Sequence, residues 1–123
     1  MITVTVRRRD GHIVRFTVQG HAGWAERGND IVCSAISALT ISAANGLAQQ
    51  AGVCRAVRQR SGELDCIILG SPSDFEWNRA DAICETMFAG IRSVASEYPG
   101  TVLVIERNGP EKGLHLQAGR CDE

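Results

Sequence analysis

An Asp-Gly dipeptide between two strand-like runs constrains the fold of this chain more than any other feature of the sequence. Before Asp10-Gly11, valine and threonine alternate over residues 3–6, and after it residues 13–18 are rich in β-branched and aromatic residues. Both central positions of a two-residue hairpin turn require positive φ, which Asp-Gly tolerates well. We therefore predict that the chain opens with an antiparallel β-hairpin.

Two later segments have the apolar periodicity of amphipathic helices. Asn29 or Asp30 can cap the first helix, which should stop near Gly52, and Ser73 with Glu76 fits a capping box at the start of the second. Apolar residues recur at three- and four-residue steps, as they do on one face of a helix. The predicted buried stripes are Val32, Ile36, Leu39, Ala43 and Leu47 in the first helix, and Ile83, Met87, Ile91, Val94 and Tyr98 in the second.

Three further strand candidates complete the chain, at residues 53–59, 64–69 and 101–106. The predicted order of elements is ββαββαβ. Each helix has one apolar face that must be buried, and a single sheet can bury both faces. We predict an α+β, two-layer sandwich with a mostly antiparallel sheet of about five strands and both helices on one face. Residues 1–107 form one domain in this prediction, and residues 108–123 form a polar tail.

The charge and hydropathy of the chain exclude several classes of function. The formal net charge of the 123 residues is −1, so no direct contact with nucleic acid is expected. The basic cluster Arg7-Arg8-Arg9 is interpreted as a solvated hairpin end. No apolar run of bilayer length and no leader peptide are expected, which predicts a cytoplasmic protein without a membrane partner.

Five cysteines, an odd number with no C-x-x-C pair, disfavour a disulfide framework or a closed zinc site. We expect five free thiols, no metal and no cofactor. Cys54, Cys66 and Cys84 fall in predicted strands or a helix and are interpreted as core residues. Cys121 falls in the predicted tail, so Cys33 is the candidate for a reactive cysteine.

Cys33 follows the predicted cap of the first helix, where unpaired N–H groups and the helix dipole stabilise an anion such as a thiolate. His21, in a glycine-rich segment, is the nearest candidate base. Asp30 either caps the helix or orients His21. Ser37, one turn after Cys33 on the same helix face, is a candidate hydrogen-bond partner of the sulfur or a small residue packed against the sheet. Trp24 is a candidate for lining a substrate groove or for covering the loop. The alternative for Cys33 is a small buried hydrophobic residue.

The order of these residues resembles a known signature. Residues 20–22 read Gly-His-Ala, and residues 28–39 read Gly-Asn-Asp-Ile-Val-Cys-Ser-Ala-Ile-Ser-Ala-Leu. Together they resemble the ribosomal-processing cysteine proteases of the Prp (YsxB-like) family, whose pattern is roughly G-H-A, a short loop, then G-x-D-I-V-C-x-A-[VI]-S. Residues 45–47 and 97–99 extend the resemblance, which covers roughly residues 1–107.

The resemblance implies a specific activity. Members of this family remove the N-terminal extension of large-subunit ribosomal protein twenty-seven, and they form homodimers. By motif position Cys33 is then the nucleophile, His21 the general base and Asp30 a supporting residue. The remaining site residues, as substrate contacts or loop cover, would be Gly20, Ala22, Gly23, Trp24, Gly28, Ser34 and Ser37.

Two departures from the family pattern bear on specificity or rate, because neither removes a catalytic group. Ser34 stands where alanine is usual after the nucleophile, and Trp24 stands where tyrosine is common. Two other functions stay open at this point. One is a non-catalytic, ribosome-associated module that binds a peptide. The other, a redox or acyl-transfer thiol enzyme, is disfavoured because no resolving cysteine lies nearby.

Overall fold

The computed structural model describes residues 1–20 and 27–109, and the side chains of residues 27–30 lie outside this description. The predicted order of elements is confirmed. The elements are β1 (Ile2–Arg9), β2 (His12–Gln19), α1 (Arg27–Gln49), β3 (Arg55–Arg60), β4 (Glu63–Ile68), α2 (Asp74–Glu97) and β5 (Val102–Asn108).

The opening hairpin has the turn that the sequence predicts. Asp10 and Gly11 have φ values of 53° and 83°, and β1 pairs antiparallel with β2 on either side of them. Positive φ at both central positions defines a type I′ turn, whose twist matches that of the flanking strands. The first hairpin is therefore specified by its own local sequence.

The five strands form one mixed sheet in the order β3-β4-β2-β1-β5. Three of its four pairings are antiparallel, and β5 pairs with β1 in parallel. The two-layer architecture and the mostly antiparallel sheet are confirmed. Because β2 is flanked by β1 and β4, the end of β2 meets the turn between β3 and β4, which matters for the candidate site below.

Both helices cover one face of the sheet. Ser73 caps α2 as predicted, since its hydroxyl accepts the backbone N–H of Glu76 at 3.1 Å while the Glu76 carboxylate accepts the backbone N–H of Ser73 at 2.8 Å. The second of these bonds is the main reason that the pKa of Glu76 lies below its ordinary value. The helices approach closely at Gly90, where an added Cβ would lie 2.9 Å from a Leu39 methyl group.

The buried stripe of α2 differs from the prediction at its ends. Tyr98 is 39% exposed and serves as the C-cap, so it does not belong to the core. The inward face of α2 instead comprises Ala80, Cys84, Met87, Phe88 and Ile91. The helical period of the prediction is confirmed, and the predicted stripe residues Ile83 and Val94 are half-buried and pack against the core.

α1 is more apolar than the sequence analysis expected. Within the described residues, Ile31–Gln49 reaches the length and hydropathy of a membrane span, contrary to the expectation of no such run. One helix of this kind is weak evidence, because the core helix of a soluble domain satisfies the same criterion. A third of this segment is buried, and Val32, Ile36 and Leu47 lie in the core that α1 shares with the sheet.

The basic cluster at the end of β1 is divided by the alternation of the strand. Arg8 points to the helical side, where it forms ion pairs with Glu85 of α2 and Glu106 of β5. These bonds, Glu85 first, raise the pKa of Arg8 and so keep it charged. Arg7 faces the opposite side of the sheet, beside Arg15 and Arg107. The cluster is therefore not a uniformly solvated hairpin end.

The end of β2 depends on a glycine. Gly20 has a φ of 93°, and a Cβ placed there would lie 2.7 Å from the carbonyl oxygen of Met1. Its N–H donates to the carbonyl of Gly62 at 2.9 Å. The predicted site residue Gly20 therefore joins the chain start, β2 and the turn between β3 and β4 at one point.

We predict that Gly20→Ala destabilises the fold more than Gly11→Ala. Both glycines have positive φ, so alanine is strained at either position, by about 1–3 kcal/mol. Only at Gly20 does the new methyl group also collide with backbone, since nothing lies within 4 Å of a Cβ at Gly11. The measurement is the free energy of unfolding in urea, and equal losses in the two variants would contradict the prediction.

Candidate active site

Cys33 lies on α1 at the boundary between the core and a pocket. Its neighbour Val32 is completely buried and Ile36 is 1% exposed, whereas Cys33 is half-buried and packs against the core cluster. Because the buried residues before and after it fix the rotation of the helix, the position of Cys33 is fixed as well. The interpretation of Cys33 as a fully buried hydrophobic residue is excluded.

The start of α1 corrects the prediction for the helix cap. α1 begins at Arg27, so neither Asn29 nor Asp30 is its cap and Cys33 lies in the second turn. Unpaired N–H groups occupy the first turn, and the dipole effect falls off within it. The helix start therefore stabilises a thiolate at Cys33 less than the sequence analysis expected.

The pocket beside Cys33 has a volume of about 230 Å³. One wall is α1, the second is the chain start with the end of β2, and the third is the turn between β3 and β4. Backbone, hydroxyl, amide and charged groups line it together with apolar side chains. The lining residues are Ile2, Val18, Gly20, Cys33, Ile36, Ser37, Thr40, Ile41, Gln59, Arg60, Ser61, Gly62, Glu63 and Leu64.

The structure brings together three of the predicted site residues and separates a fourth. Gly20, Cys33 and Ser37 line the same pocket, which confirms that Ser37 shares a face of α1 with Cys33. Ser34 is exposed and does not line the pocket. One residue along a helix corresponds to a rotation of about 100°, which carries Ser34 away from the thiol.

The third wall of the pocket was missed by sequence reasoning. It consists of the turn between β3 and β4 and the strand ends that flank it, where Arg60 and Glu63 place opposite charges at the pocket rim. The turn itself is visible in the sequence as Ser61-Gly62. Its position beside Cys33 follows only from the pairing of β2 with β4, which matches Gln19 with Glu63.

Thr40 is a polar pocket residue whose hydroxyl is already engaged in a hydrogen bond within α1. It is 1% exposed, and its Oγ1 donates to the carbonyl of Ile36 at 2.8 Å. A back-bonded threonine of this kind satisfies its own buried hydroxyl within the helix. Thr40 therefore shapes the floor of the pocket.

The other predicted site residues fall outside the described part of the chain. His21, Ala22, Gly23 and Trp24 lie outside the described residues. Gly28 and Asp30 belong to α1 by their backbone, but the side chain of Asp30 lies outside the description. The predicted roles of His21 and Asp30 therefore stay predictions.

The remaining described cysteines differ from Cys33 in their surroundings. Cys66 is completely buried and Cys84 is 1% exposed, and burial raises the pKa of the Cys84 thiol to about 12. Cys54 is disulfide-bonded, so the prediction of five free thiols is wrong at this position. Cys33 is thus the free cysteine of the described chain that lines a pocket. In the same residues no three His, Cys, Asp or Glu side chains could hold a metal ion.

Comparison with known proteins assigns the fold and the family. The family model described as cysteine protease Prp matches residues 1–103. The chain belongs to the cysteine protease Prp family. In the ribosomal processing cysteine protease Prp of Bacillus subtilis (strain 168), 53 residues are 42% identical, which covers 42% of this chain and 47% of that protein. The match thus spans about half the length of this curated relative.

Solved structures agree with the family's fold. SMU.848 from Streptococcus mutans has a TM-score of 0.73 at 29% identity, covering 89% of this chain and 96% of that one. The essential ribosomal processing protease Prp from S. aureus, in complex with a substrate peptide, has a TM-score of 0.74 at 23% identity, covering 87% of this chain and 100% of that one. At this identity the second likeness supports the fold alone.

We predict that iodoacetamide modifies Cys33 faster than Cys66 or Cys84 in the folded protein at neutral pH. Cys33 lines an open pocket, whereas burial both shields Cys84 and keeps its thiol protonated. Peptide mass mapping after timed quenching gives the rate at each position. Unfolding in urea provides the control, because it should bring the three rates close together. Equal rates in the folded protein would contradict the prediction.

Proposed function

We propose that this chain is a cysteine endopeptidase in which Cys33 is the nucleophile and His21 is the general base. The observation that carries the proposal is the position of Cys33, a free and half-buried thiol that lines the pocket at the end of β2. Membership of a family of cysteine proteases supports the same assignment. His21 directly follows Gly20, which itself lines the pocket, so the sequence connects the proposed base to the wall opposite the thiol.

In the proposed reaction the Cys33 sulfur attacks the carbonyl carbon of the scissile peptide bond. His21 takes the thiol proton and then gives it to the leaving amine, so that a thioester to the N-terminal part of the substrate remains. Water hydrolyses the thioester and restores the thiol. Because the helix start contributes little at the second turn of α1, His21 has the main part in forming the thiolate.

The pocket favours an extended peptide segment as the substrate. A volume of about 230 Å³ accommodates one or two side chains, and the third wall offers Gln59 and the charged rim residues Arg60 and Glu63 for polar contacts. We propose that the segment is the N-terminal extension of large-subunit ribosomal protein twenty-seven, cleaved in the cytoplasm. The name of the B. subtilis relative, a ribosomal processing protease, supports this substrate.

Loss of the thiol tests the mechanism. Cys33→Ala should abolish cleavage of a peptide that spans the extension junction, because no other described free thiol reaches the pocket. Ser34→Ala is the matched control on the same helix turn, and it should retain cleavage since Ser34 lies outside the pocket. Mass analysis of the products measures both. Cleavage that persists in Cys33→Ala would exclude the mechanism, and binding without cleavage by the wild type would favour the peptide-binding module instead.

We infer that the protein acts as a homodimer through an apolar groove between α1 and α2, the α1–α2 groove. This groove has a volume of about 530 Å³. Its lining carries no charged side chain, so an equally uncharged surface is its best partner, and a second copy supplies one by two-fold symmetry. The groove is lined by Ala38, Leu39, Ser42, Ala43, Gly46, Gln50, Ala82, Ile83, Thr86 and Met87.

A charge placed in the α1–α2 groove tests the dimer. Ala38→Glu should shift the protein from the dimer to the monomer mass in light scattering, because burying an unpaired carboxylate in an interface costs several kcal/mol. Ser93→Glu places the same charge at an exposed position of α2 outside the groove and should leave the dimer intact. A wild-type protein that is monomeric at micromolar concentration would overturn the inference.

A further inference from the structure

The strand β5 forms one edge of the sheet, and its outward backbone groups have no hydrogen-bond partner among the described residues. β5 pairs with β1, and the direction of its backbone groups follows from the two ends of this pairing. The N–H of Ile2 donates to the carbonyl of Thr101 at 3.0 Å, and the N–H of Gly109 donates to the carbonyl of Arg8 at 3.0 Å. Alternate residues of β5 therefore bond to β1, and the residues between them point away from the sheet. The outward residues are Val102, Val104, Glu106 and Asn108.

The first half of β5 lacks the features that usually keep a strand edge from pairing with another chain. Natural edges are guarded by proline, by bulges or by charged side chains. The register of β5 with β1 is regular over its whole length, and residues 102–105 are all aliphatic. Charged residues begin at Glu106, which forms ion pairs with Arg8 and Arg92. The edge at residues 102–105 is therefore open to an added strand.

Aliphatic side chains flank the outward backbone groups on both faces of β5. Val102 and Val104 lie on the helical side and pack against the core. Leu103 and Ile105 point to the opposite side of the sheet, where Leu103 is 46% exposed. In an antiparallel pair at this edge, Leu103 and Ile105 occupy non-hydrogen-bonded positions, whose side chains lie closest to the partner strand. The edge therefore favours a strand with aliphatic residues at the two alternate positions opposite them.

This open edge begins beside the Cys33 pocket. Ile2 lines the pocket and is paired with Val102, the first residue of β5. Tyr98, which is also exposed, begins the turn that leads into β5, since its carbonyl accepts the N–H of Thr101 at 3.3 Å. Neighbouring strands are roughly 5 Å apart and an extended chain advances roughly 3.3 Å per residue, so about four residues reach from the Ile2 wall to the outer edge of β5.

We propose that the edge of β5 is an exosite, a binding surface outside the catalytic pocket, for the substrate segment that precedes the scissile bond. The segment adds to the sheet as an antiparallel strand with aliphatic residues at alternate positions. Strand addition to an exposed edge is a recurring mode of peptide recognition. This exosite rests on the proposed cleavage at Cys33 and specifies which part of the substrate is recognised beyond the pocket.

The direction of β5 decides which side of the scissile bond is bound. A segment that runs from the Asn108 end of β5 to the Val102 end and then reaches Cys33 is antiparallel to β5, and it lies on the N-terminal side of the scissile bond. The segment that follows the scissile bond would run parallel to β5. Parallel pairing is slightly less stable per residue, so the edge selects the preceding segment.

The test compares the cleavage of two peptides that share the extension junction and differ in the five residues of a leader about four residues before the scissile bond. One leader is Thr-Val-Thr-Val-Thr and the other is Gly-Ser-Gly-Ser-Gly. For the wild type the threonine-valine leader should lower KM about threefold to tenfold and leave kcat unchanged, because it adds binding that is equal in the ground state and the transition state.

Two lysine variants separate the edge from the rest of the surface. Leu103→Lys places a charge of the kind that guards natural edges at an exposed position, and it should abolish the KM advantage of the threonine-valine leader. The same variant should cleave the glycine-serine peptide at the wild-type rate, which shows that it is folded. Phe75→Lys is the matched control, since it replaces an exposed apolar residue at the start of α2, and it should keep the advantage.

Methylation of the leader's amides tests the strand pairing itself. When the two valines lie opposite Leu103 and Ile105, the N–H groups of the threonines face β5 and those of the valines point away. N-methylation of the threonines should therefore abolish the KM advantage. N-methylation of the valines, which changes the composition equally, should retain most of it.

The proposal is overturned if the two leaders give equal KM with the wild type, if Leu103→Lys keeps the advantage, or if the two methylated leaders behave alike. It is also overturned if Leu103→Lys changes the oligomeric mass in light scattering, because β5 would then pair with a second copy. Cleavage of both peptides with equal KM overturns the exosite alone. The absence of any cleavage by the wild type overturns the protease activity and the exosite with it.

Discussion

The backbone hydrogen bond between Gly20 and Gly62 joins the end of β2 to the turn between β3 and β4 at the candidate active site. It continues the pairing of β2 with β4 by one step, and it holds the turn between β3 and β4 beside the end of β2. Only a glycine fits at position 20, because the Met1 carbonyl occupies the space of a side chain. Two walls of the pocket therefore depend on one residue without a Cβ.

Local sequence signals predict the helices, strands and turns of this fold. The order of the strands in the sheet depends on non-local pairing, which these signals do not specify. Asp10-Gly11 fixes the first turn and Ser73 fixes the start of α2, since each forms its bonds with residues near it in the chain. The parallel pairing of β5 with β1 and the placement of β4 beside β2 join segments far apart in sequence. Nothing in either strand's own pattern specifies these neighbours.

The difference between local and non-local contacts also explains which residues of the candidate site the sequence predicts. Cys33 and Ser37 share a helix face, which their spacing alone establishes. The charged rim of Arg60 and Glu63 was missed because it reaches the thiol only through strand order. The helix start was misplaced at Asn29 or Asp30, since residues that favour caps also occur inside the first turns, and α1 begins at Arg27.

In the proposed mechanism, catalysis depends both on α1, which carries Cys33, and on the chain segment that follows β2. Val32 and Ile36, both buried, anchor the helix, so the sulfur is held at a fixed place at the core boundary. A thiol in the second turn gains little from the helix dipole, and its reactivity then depends on a base supplied from elsewhere. Gly20 is the last described residue before the segment that contains His21, and it already lines the pocket. In the proposed mechanism the helix therefore positions the nucleophile, and the chain that follows β2 determines its reactivity.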